Sequence, residues 1–145
     1  MSDSPSPVDP APSSPEEHER QRAAQAHGDP YLLYRDADAG LQVLSLPGSW
    51  EQVHIGRSTA AEISLQWDPE VSTVHAQLER LGDDWVLIDD GLSRNGSFVN
   101  GEKMVGRRRL NDDDRLRFGR TTVSFHHPLQ VRQHTLLRPD DGDDE

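Results

Sequence analysis

The chain contains no cysteine among its 145 residues, which excludes disulfide bonds, thiolate metal sites and a cysteine nucleophile. Apolar residues are also scarce, since hydrophobic types make up 32% of the sequence and aromatic types 6%. No apolar run approaches the roughly 20 residues of a membrane-spanning helix, and the N-terminus lacks the basic and apolar regions of a signal peptide. We therefore expect a cytoplasmic protein with no membrane partner. Its length suits one ordinary domain.

The charge is unevenly distributed along the chain. Acidic residues outnumber basic ones 26 to 15, which gives a formal net charge of −11. Residues 1–30 carry −4, residues 31–128 carry −4 and residues 129–145 carry −3. Because Lys and Arg drive non-specific binding to nucleic acid and anionic membranes, an acidic chain disfavours both. We expect no nucleic-acid partner, and binding of any anion requires a local basic site.

The two ends of the chain differ in composition from its middle. Residues 1–30 open with Ser, Pro and Asp, which have little to bury and cannot offset the entropy lost on ordering. Ser14, Pro15 and Glu17 then match a helix start, with a capping hydroxyl, a proline in the first turn and a carboxylate that reaches back. Alanines are the only apolar residues that follow, so we expect a disordered or linker region with at most a short, frayed helix. Residues 129–145 predict a disordered acidic tail.

Residues 31–128 contain short runs with a period of two, separated by Gly, Pro, Asn and Asp, and no helical period. In one of these runs Val74, Ala76 and Leu78 are expected to face the core. The candidate strands are Tyr31–Arg35, Leu41–Leu46, Val53–Gly56, Val74–Arg80, Trp85–Asp89, Ser97–Asn100, Arg115–Phe118 and Thr121–His126. Many short strands at close spacing predict an all-β fold, an antiparallel β-sandwich of roughly a hundred residues.

Three polar clusters fall at the ends of these strands, where a β-sandwich carries its functional loops. They are Gly56-Arg57, Ser72 with His75, and the stretch from Ser93 to Gly101. In this order, and followed by a Leu- and Asp-rich stretch that ends in Phe-Gly, they resemble the forkhead-associated (FHA) domain. The resemblance implies an FHA-type (SMAD/FHA-like) sandwich of eleven strands over residues 31–128. It also implies that loops at one end bind phosphothreonine peptides.

The resemblance and the chemistry of the side chains together indicate the ligand contacts. Arg57 offers a planar fork that can bond two phosphate oxygens. Ser72 offers a hydroxyl, and we expect its backbone N–H to point at the same anion. Arg94 stands where many family members have a phosphate-contacting Thr or Ser, and adds a second positive charge. The residue that matches Asn95 holds the ligand's main chain in the family, and Thr73 stands where Arg, Lys or Asn often contacts ligand.

Four further residues are expected to support the binding loops, namely Gly56, His75, Gly96 and Asn100. The histidine matching His75 braces the loops in the family, Gly96 is expected to serve a hairpin turn that needs positive φ, and Asn100 to pin its loop. Other interpretations stay open. Arg57 can close a strand with a surface ion pair, Arg94 can point to solvent, and Ser and Asn also form turns by bonding their own backbone.

Ser72, His75 and Asp89 raise the alternative of a catalytic triad. The Gly-x-Ser-x-Gly elbow and the strand–helix turn that expose such a serine are missing from the sequence. His126 and His127 are adjacent on a strand and are expected to point to opposite faces, which is unsuited to a metal site. We therefore expect no enzyme, no cofactor and no metal.

Two binding alternatives also stay open. Residues 107–109 are three arginines that suggest nucleic acid, but three aspartates follow closely, so we expect a solvated loop. An FHA fold can also recognise a protein surface without phosphate, and the substitution Arg57→Ala discriminates between these two modes of binding.

The sequence therefore predicts a non-catalytic module, a monomer that binds a phosphothreonine-containing partner downstream of a Ser/Thr kinase. No threonine precedes Thr59, so the Ser-rich N-terminus offers serines only. Since the resemblance implies a preference for phosphothreonine, Thr135 in the acidic tail is the only candidate self-ligand outside the domain.

Overall fold

The computed structural model describes residues 9–91 and 93–128, which form one α-helix and eleven β-strands. The elements are α1 (Pro15–His27), β1 (Tyr31–Arg35), β2 (Leu41–Ser45), β3 (Gln52–Gly56), β4 (Ile63–Ser64), β5 (Ala76–Leu81), β6 (Asp84–Asp89), β7 (Ser97–Val99), β8 (Glu102–Met104), β9 (Gly106–Arg109), β10 (Asp114–Phe118) and β11 (Thr121–His126). The expected eleven-stranded β-sandwich is confirmed. Residues 1–8 and 129–145, and with them Thr135, lie outside the described residues.

The strands form two sheets that enclose the core. One sheet has the order β2-β1-β11-β10-β7-β8 and the other the order β4-β3-β5-β6-β9. All neighbouring strands are antiparallel except β3 and β4, which are parallel, so the sandwich is not wholly antiparallel. Side chains alternate between the core and the solvent along several strands. In β10, for example, Leu116 and Phe118 are buried, whereas Arg115 and Arg117 are exposed. Trp85 and Phe125 are among the largest side chains buried between the sheets.

All eight strands that the alternation predicts are present, with ends shifted by at most two residues. The pattern missed β4, β8 and β9, because β4 has only two residues and β8 and β9 consist mostly of charged residues that show no apolar alternation. The expected solvated loop at residues 107–109 was wrong, because these arginines lie in β9 and pair with β6. The predicted inward orientation of Val74 was also wrong. Val74 is 74% exposed and His75 is 4% exposed, since the chain runs as a loop here and β5 begins at Ala76.

The helix start at Ser14 is confirmed, because the Ser14 side chain accepts a hydrogen bond from the Glu17 N–H at 3.2 Å. The short helix that was expected here is present, and α1 is anchored to the first sheet. The guanidinium of Arg35 in β1, which is 6% exposed, pairs with the Glu17 carboxylate at 2.7 Å. It also donates to the main-chain oxygens of Asp9 and Ala11. This hydrogen-bonded contact lowers the pKa of Glu17 to about 2. The Arg35–Glu17 ion pair therefore helps to dock the helix, together with Ala24, which packs against the buried cluster of Tyr31, Leu33 and Leu41.

Within the described residues, no helix is both long enough and apolar enough to cross a membrane.

Candidate functional site

The end of β3 is paired directly with the loop that carries Ser72. The Arg57 backbone N–H donates to the main-chain oxygen of Ser72 at 3.0 Å, and the Ser58 backbone N–H donates to the main-chain oxygen of Thr73 at 3.2 Å. Gly56 makes this approach possible, because a Cβ atom there would lie 2.2 Å from the Thr73 oxygen. The expected supporting role of Gly56 therefore has a steric basis, and it places Arg57 beside Ser72.

His75 joins this loop to the loop that precedes β7. Its Nδ1 accepts a hydrogen bond from the Ser72 backbone N–H at 3.0 Å, so Nε2 carries the proton and donates to the Gly96 oxygen at 2.9 Å. The ring packs edge-on against Phe118. Two sequence expectations need correction here. The Ser72 N–H serves His75 and not an anion, and Gly96, with a φ of +82°, lies in a loop between two sheets and not in a hairpin.

Asp89, at the end of β6, stabilises the loop that precedes β7 through hydrogen bonds from the core side. Its buried carboxylate accepts hydrogen bonds from the Ser93 and Ser97 hydroxyls, both at 2.7 Å, and from the Gly91 N–H at 2.8 Å. Burial acts to raise the pKa of Asp89, but these donors outweigh burial and hold that pKa below its usual value. Asp89 therefore stays ionised and stabilises this loop through its hydrogen bonds. The sequence suggested Asp89 only as a member of a catalytic triad and did not predict this structural role.

The two loops are also joined at the surface. The Ser72 hydroxyl oxygen accepts a hydrogen bond from the Arg94 backbone N–H at 2.9 Å. The Asn95 side-chain Nδ2 donates to the main-chain oxygen of Glu70 at 2.7 Å. The Asn95 side-chain oxygen accepts no hydrogen bond from the described residues. It is therefore the group that can accept a backbone N–H of a ligand without breaking the loop contact.

Between the loops is an open pocket of about 110 Å³, and Arg57, Ser72, Thr73 and Arg94 are among the residues that line it. The Arg57 Nε donates to the main-chain oxygen of Val71 at 2.5 Å, which orients the guanidinium. Among the described residues, neither the Nη groups of Arg57 nor the side chain of Arg94 has a partner. The Ser72 hydroxyl keeps its own proton to donate. The fold therefore collects unused cationic and hydroxyl donors in one concavity.

Asn100 lies away from this pocket and stabilises the β7–β8 hairpin. It has a φ of +51° and is followed by Gly101 at +87°, as expected of an Asn-Gly hairpin turn. Its amide donates to Asp114 at 2.9 Å and accepts from the Arg115 N–H at 2.9 Å. The expectation that Asn100 pins its loop agrees with this geometry.

Sequence reasoning missed one acidic group in the pocket, the side chain of Glu70. Its carboxylate is paired with the Arg120 Nε at 2.9 Å, which partly neutralises it. Asp68, which is 2% exposed, accepts from the Arg120 N–H and the Thr121 hydroxyl and so fixes that contact. The position of Glu70 two residues before Ser72 was the only signal in the sequence.

The catalytic-triad alternative does not match this geometry. Both ring nitrogens of His75 are engaged, one by the Ser72 backbone N–H and the other by the Gly96 oxygen. The hydroxyl of Ser72 instead accepts from Arg94, so the hydrogen bond that would activate a serine nucleophile is not formed. Within residues 9–91 and 93–128, no three His, Asp or Glu side chains are grouped so that they could hold a metal ion.

Comparison with known proteins agrees with the fold and the order of the motifs. The family model of the FHA domain matches residues 53–119. No curated protein sequence matches the chain. Slr1951 from Synechocystis sp. has a solved structure that is 31% identical, with 68% of this chain and 95% of that chain covered and a TM-score of 0.57.

Two further solved structures are similar. The FHA domain of CT664 from Chlamydia trachomatis is 25% identical, with 67% of this chain and 96% of that chain covered and a TM-score of 0.58. A domain from a structural and functional analysis of phosphothreonine-dependent FHA domain interactions is 26% identical, with 68% of this chain and 95% of that chain covered and a TM-score of 0.57. The two-sheet fold, the motif order and these matches together show that this chain belongs to the FHA-domain family.

Proposed function

We propose that this protein is a non-catalytic module that binds phosphothreonine in a partner protein, and that it acts in the cytoplasm as an adaptor or regulator downstream of a Ser/Thr kinase. The observation that carries the proposal is the pocket in which Arg57 and Arg94 present guanidinium groups without a carboxylate partner among the described residues. In a chain of net charge −11, two unneutralised arginines in one small concavity favour a compact dianion.

The proposed contacts follow from the donors available. A phosphothreonine brings about −1.5 to −2 charges and three acceptor oxygens. Arg57 binds two of these oxygens with its Nη groups, and Arg94 and the Ser72 hydroxyl bind the remaining one. Thr73 contacts the ligand at the rim, and the Asn95 side-chain oxygen accepts a ligand backbone N–H. At roughly 1.5–3 kcal/mol per charge-assisted hydrogen bond, three or four such bonds offset association costs and give about micromolar affinity.

The preorganised loops support this assignment. Gly56, His75, Gly96 and Asp89 hold the two loops through buried contacts that do not use the lining donors. The loops that carry the donors are thus held in place before ligand binds, which lowers the entropy cost of association.

The test is a fluorescence anisotropy titration with degenerate peptide libraries that carry phosphothreonine, phosphoserine or threonine at the fixed position. We expect binding of the phosphothreonine library, weaker binding of the phosphoserine library and none of the threonine library. Arg57→Ala should weaken binding by at least tenfold, which corresponds to about 1.4 kcal/mol or more. Arg107→Ala is the matched control, because Arg107 lies on β9 and pairs with Glu79. Equal binding of all three libraries contradicts the proposal.

The alternative of a protein surface recognised without phosphate has a clear signature. It predicts that a partner captured by the domain keeps its affinity after phosphatase treatment and with the Arg57→Ala variant. The nucleic-acid alternative is less favoured, because the three arginines of β9 pair with Glu79, Glu102 and Asp84.

Thr135 remains a predicted self-ligand. A tail peptide phosphorylated at Thr135 should bind the domain, and the unphosphorylated peptide should not. Equal binding of the two peptides, or none, would remove this idea.

A further inference from the structure

A row of three side chains crosses the outer face of the first sheet next to the pocket loops. Lys103 in β8 and Arg117 in β10 are the cross-strand partners of Phe98 in β7. The neighbours of Phe98 in β7 are buried, so Phe98 and both cations point outward. We call Lys103, Phe98 and Arg117 the outer basic row.

The two cations of the outer basic row are held in position. The Arg117 guanidinium lies 4.0 Å from the centre of the Phe98 ring and donates to the Gly119 oxygen at 2.9 Å. The side chain of Lys103 packs over Gly96. A Cβ atom placed on Gly96 would lie 2.7 Å from Cε and 3.5 Å from Nζ of Lys103. The ammonium group therefore lies against the loop that carries Arg94 and Asn95.

These cations are not neutralised. Most arginines of the described residues have a carboxylate within salt-bridge distance, including all three in β9. Lys103 and Arg117 have none among the described residues, as is also true of Arg57 and Arg94 in the pocket. The carboxylate next to Lys103 in sequence, Glu102, is directed to Arg108 at 3.4 Å. The cations of the pocket and of the outer basic row thus share the absence of a carboxylate partner among the described residues.

The outer basic row begins at the loop that carries Arg94, one of the residues that line the pocket. A strand advances about 3.3 Å per residue, so Phe98 lies roughly 7 Å beyond Gly96. An extended peptide advances by a similar amount per residue, so side chains about two to four positions from a bound phosphothreonine reach the row.

We propose that the outer basic row is a subsite for acidic side chains of the same phosphopeptide, with Lys103 and Arg117 each pairing with a carboxylate. This proposal rests on the proposed function. It restricts the preferred ligands to phosphothreonine peptides that carry Asp or Glu either before or after the phosphothreonine. Exposed ion pairs contribute modestly, so two of them should raise affinity about three- to tenfold, with a smaller gain at high salt.

The experiment compares three phosphothreonine peptides and their unphosphorylated forms by isothermal titration calorimetry. One peptide has Ala at positions two to four on both sides, the second has Asp at those positions on the N-terminal side, and the third has Asp on the C-terminal side. We expect one of the two acidic peptides to bind about three- to tenfold more tightly than the neutral peptide. That ratio should fall to about one in the double variant Lys103→Gln and Arg117→Gln.

The double variant Arg107→Gln and Arg109→Gln is the matched control, since it removes two charges from the other sheet and should keep the ratio. Circular dichroism verifies that each variant is folded. The subsite is refuted if neither acidic peptide exceeds the neutral one, or if the preference survives in the Lys103 and Arg117 variant. If phosphorylated peptides do not bind, or bind no better than unphosphorylated ones, the proposed function fails and the subsite fails with it.

Discussion

Gly56→Ala is expected to damage both the stability and the binding site of this domain. The new Cβ atom would start 2.2 Å from the Thr73 oxygen, so β3 and the loop must separate by about 1 Å to reach ordinary contact. The Arg57–Ser72 and Ser58–Thr73 backbone hydrogen bonds, at 3.0 and 3.2 Å, would then exceed hydrogen-bond length.

The magnitude follows from these contacts. Overpacking costs about 1–3 kcal/mol and each of the two lost hydrogen bonds about 0.5–1.5 kcal/mol, so we expect a loss of roughly 2–6 kcal/mol in the free energy of unfolding. A domain of this size has about 5–15 kcal/mol in total, so the variant should still fold. Phosphopeptide affinity should fall at least tenfold, because Arg57 and Ser72 no longer face one phosphate together.

The assay is urea unfolding followed by tryptophan fluorescence, to which the buried Trp85 and the partly buried Trp50 and Trp67 contribute, together with peptide titration. Gly48→Ala is the matched control, since a Cβ atom at Gly48 has no neighbour within 4 Å and the φ of Gly48 is not positive. If Gly56→Ala unfolds at the same urea concentration as Gly48→Ala and binds peptide normally, the steric argument is refuted.

Three further predictions concern the supports and charges around the site. Asp89→Ala leaves three donors unsatisfied and should lower the free energy of unfolding by about 2–4 kcal/mol in urea titrations, and an unchanged value would contradict its anchoring role. Glu70→Gln removes the carboxylate from the pocket and should raise phosphopeptide affinity about two- to fivefold by anisotropy, whereas a decrease would mean that Glu70 assists binding. Because the pKa of Glu17 is lowered from 4.5 to about 2, its contact with Arg35 stabilises the fold above pH 4.5 and is lost as the pH falls towards 2. Urea midpoints measured across this range should therefore decline more in the wild type than in Glu17→Gln.

The sequence predicted eight strands because each is a short run with apolar residues that is bounded by Gly, Pro, Asn or Asp. It could not predict β4, β8 and β9, since two residues do not define a period in β4 and the other two strands are mostly charged. The docking of α1 was also hidden, because it depends on Arg35, a charged residue whose burial is decided by tertiary contacts and not by its strand pattern.

The candidate site was predicted from the order of short polar motifs, and the structure brings Arg57, Ser72, Thr73 and Arg94 together as that order implied. The contacts that hold the binding loops in position could not be predicted as well from the sequence. The close approach at Gly56 is a contact across two elements, and a glycine alone gives no hint of what it approaches. The position of Lys103 could in principle have been inferred, since the Asn-Gly turn fixes the register that sets it opposite Phe98.

Phosphate-dependent binding at the pocket of Arg57 and Arg94 is tested most directly by an NMR titration of the ¹⁵N-labelled domain with the tightest phosphothreonine peptide from the library screen. We expect the largest amide shifts at Arg57, at Ser72 and Thr73, and at Arg94 and Asn95, and no comparable shifts with the unphosphorylated peptide. Shifts that fall instead on β9, or that do not depend on the phosphate, would contradict the account.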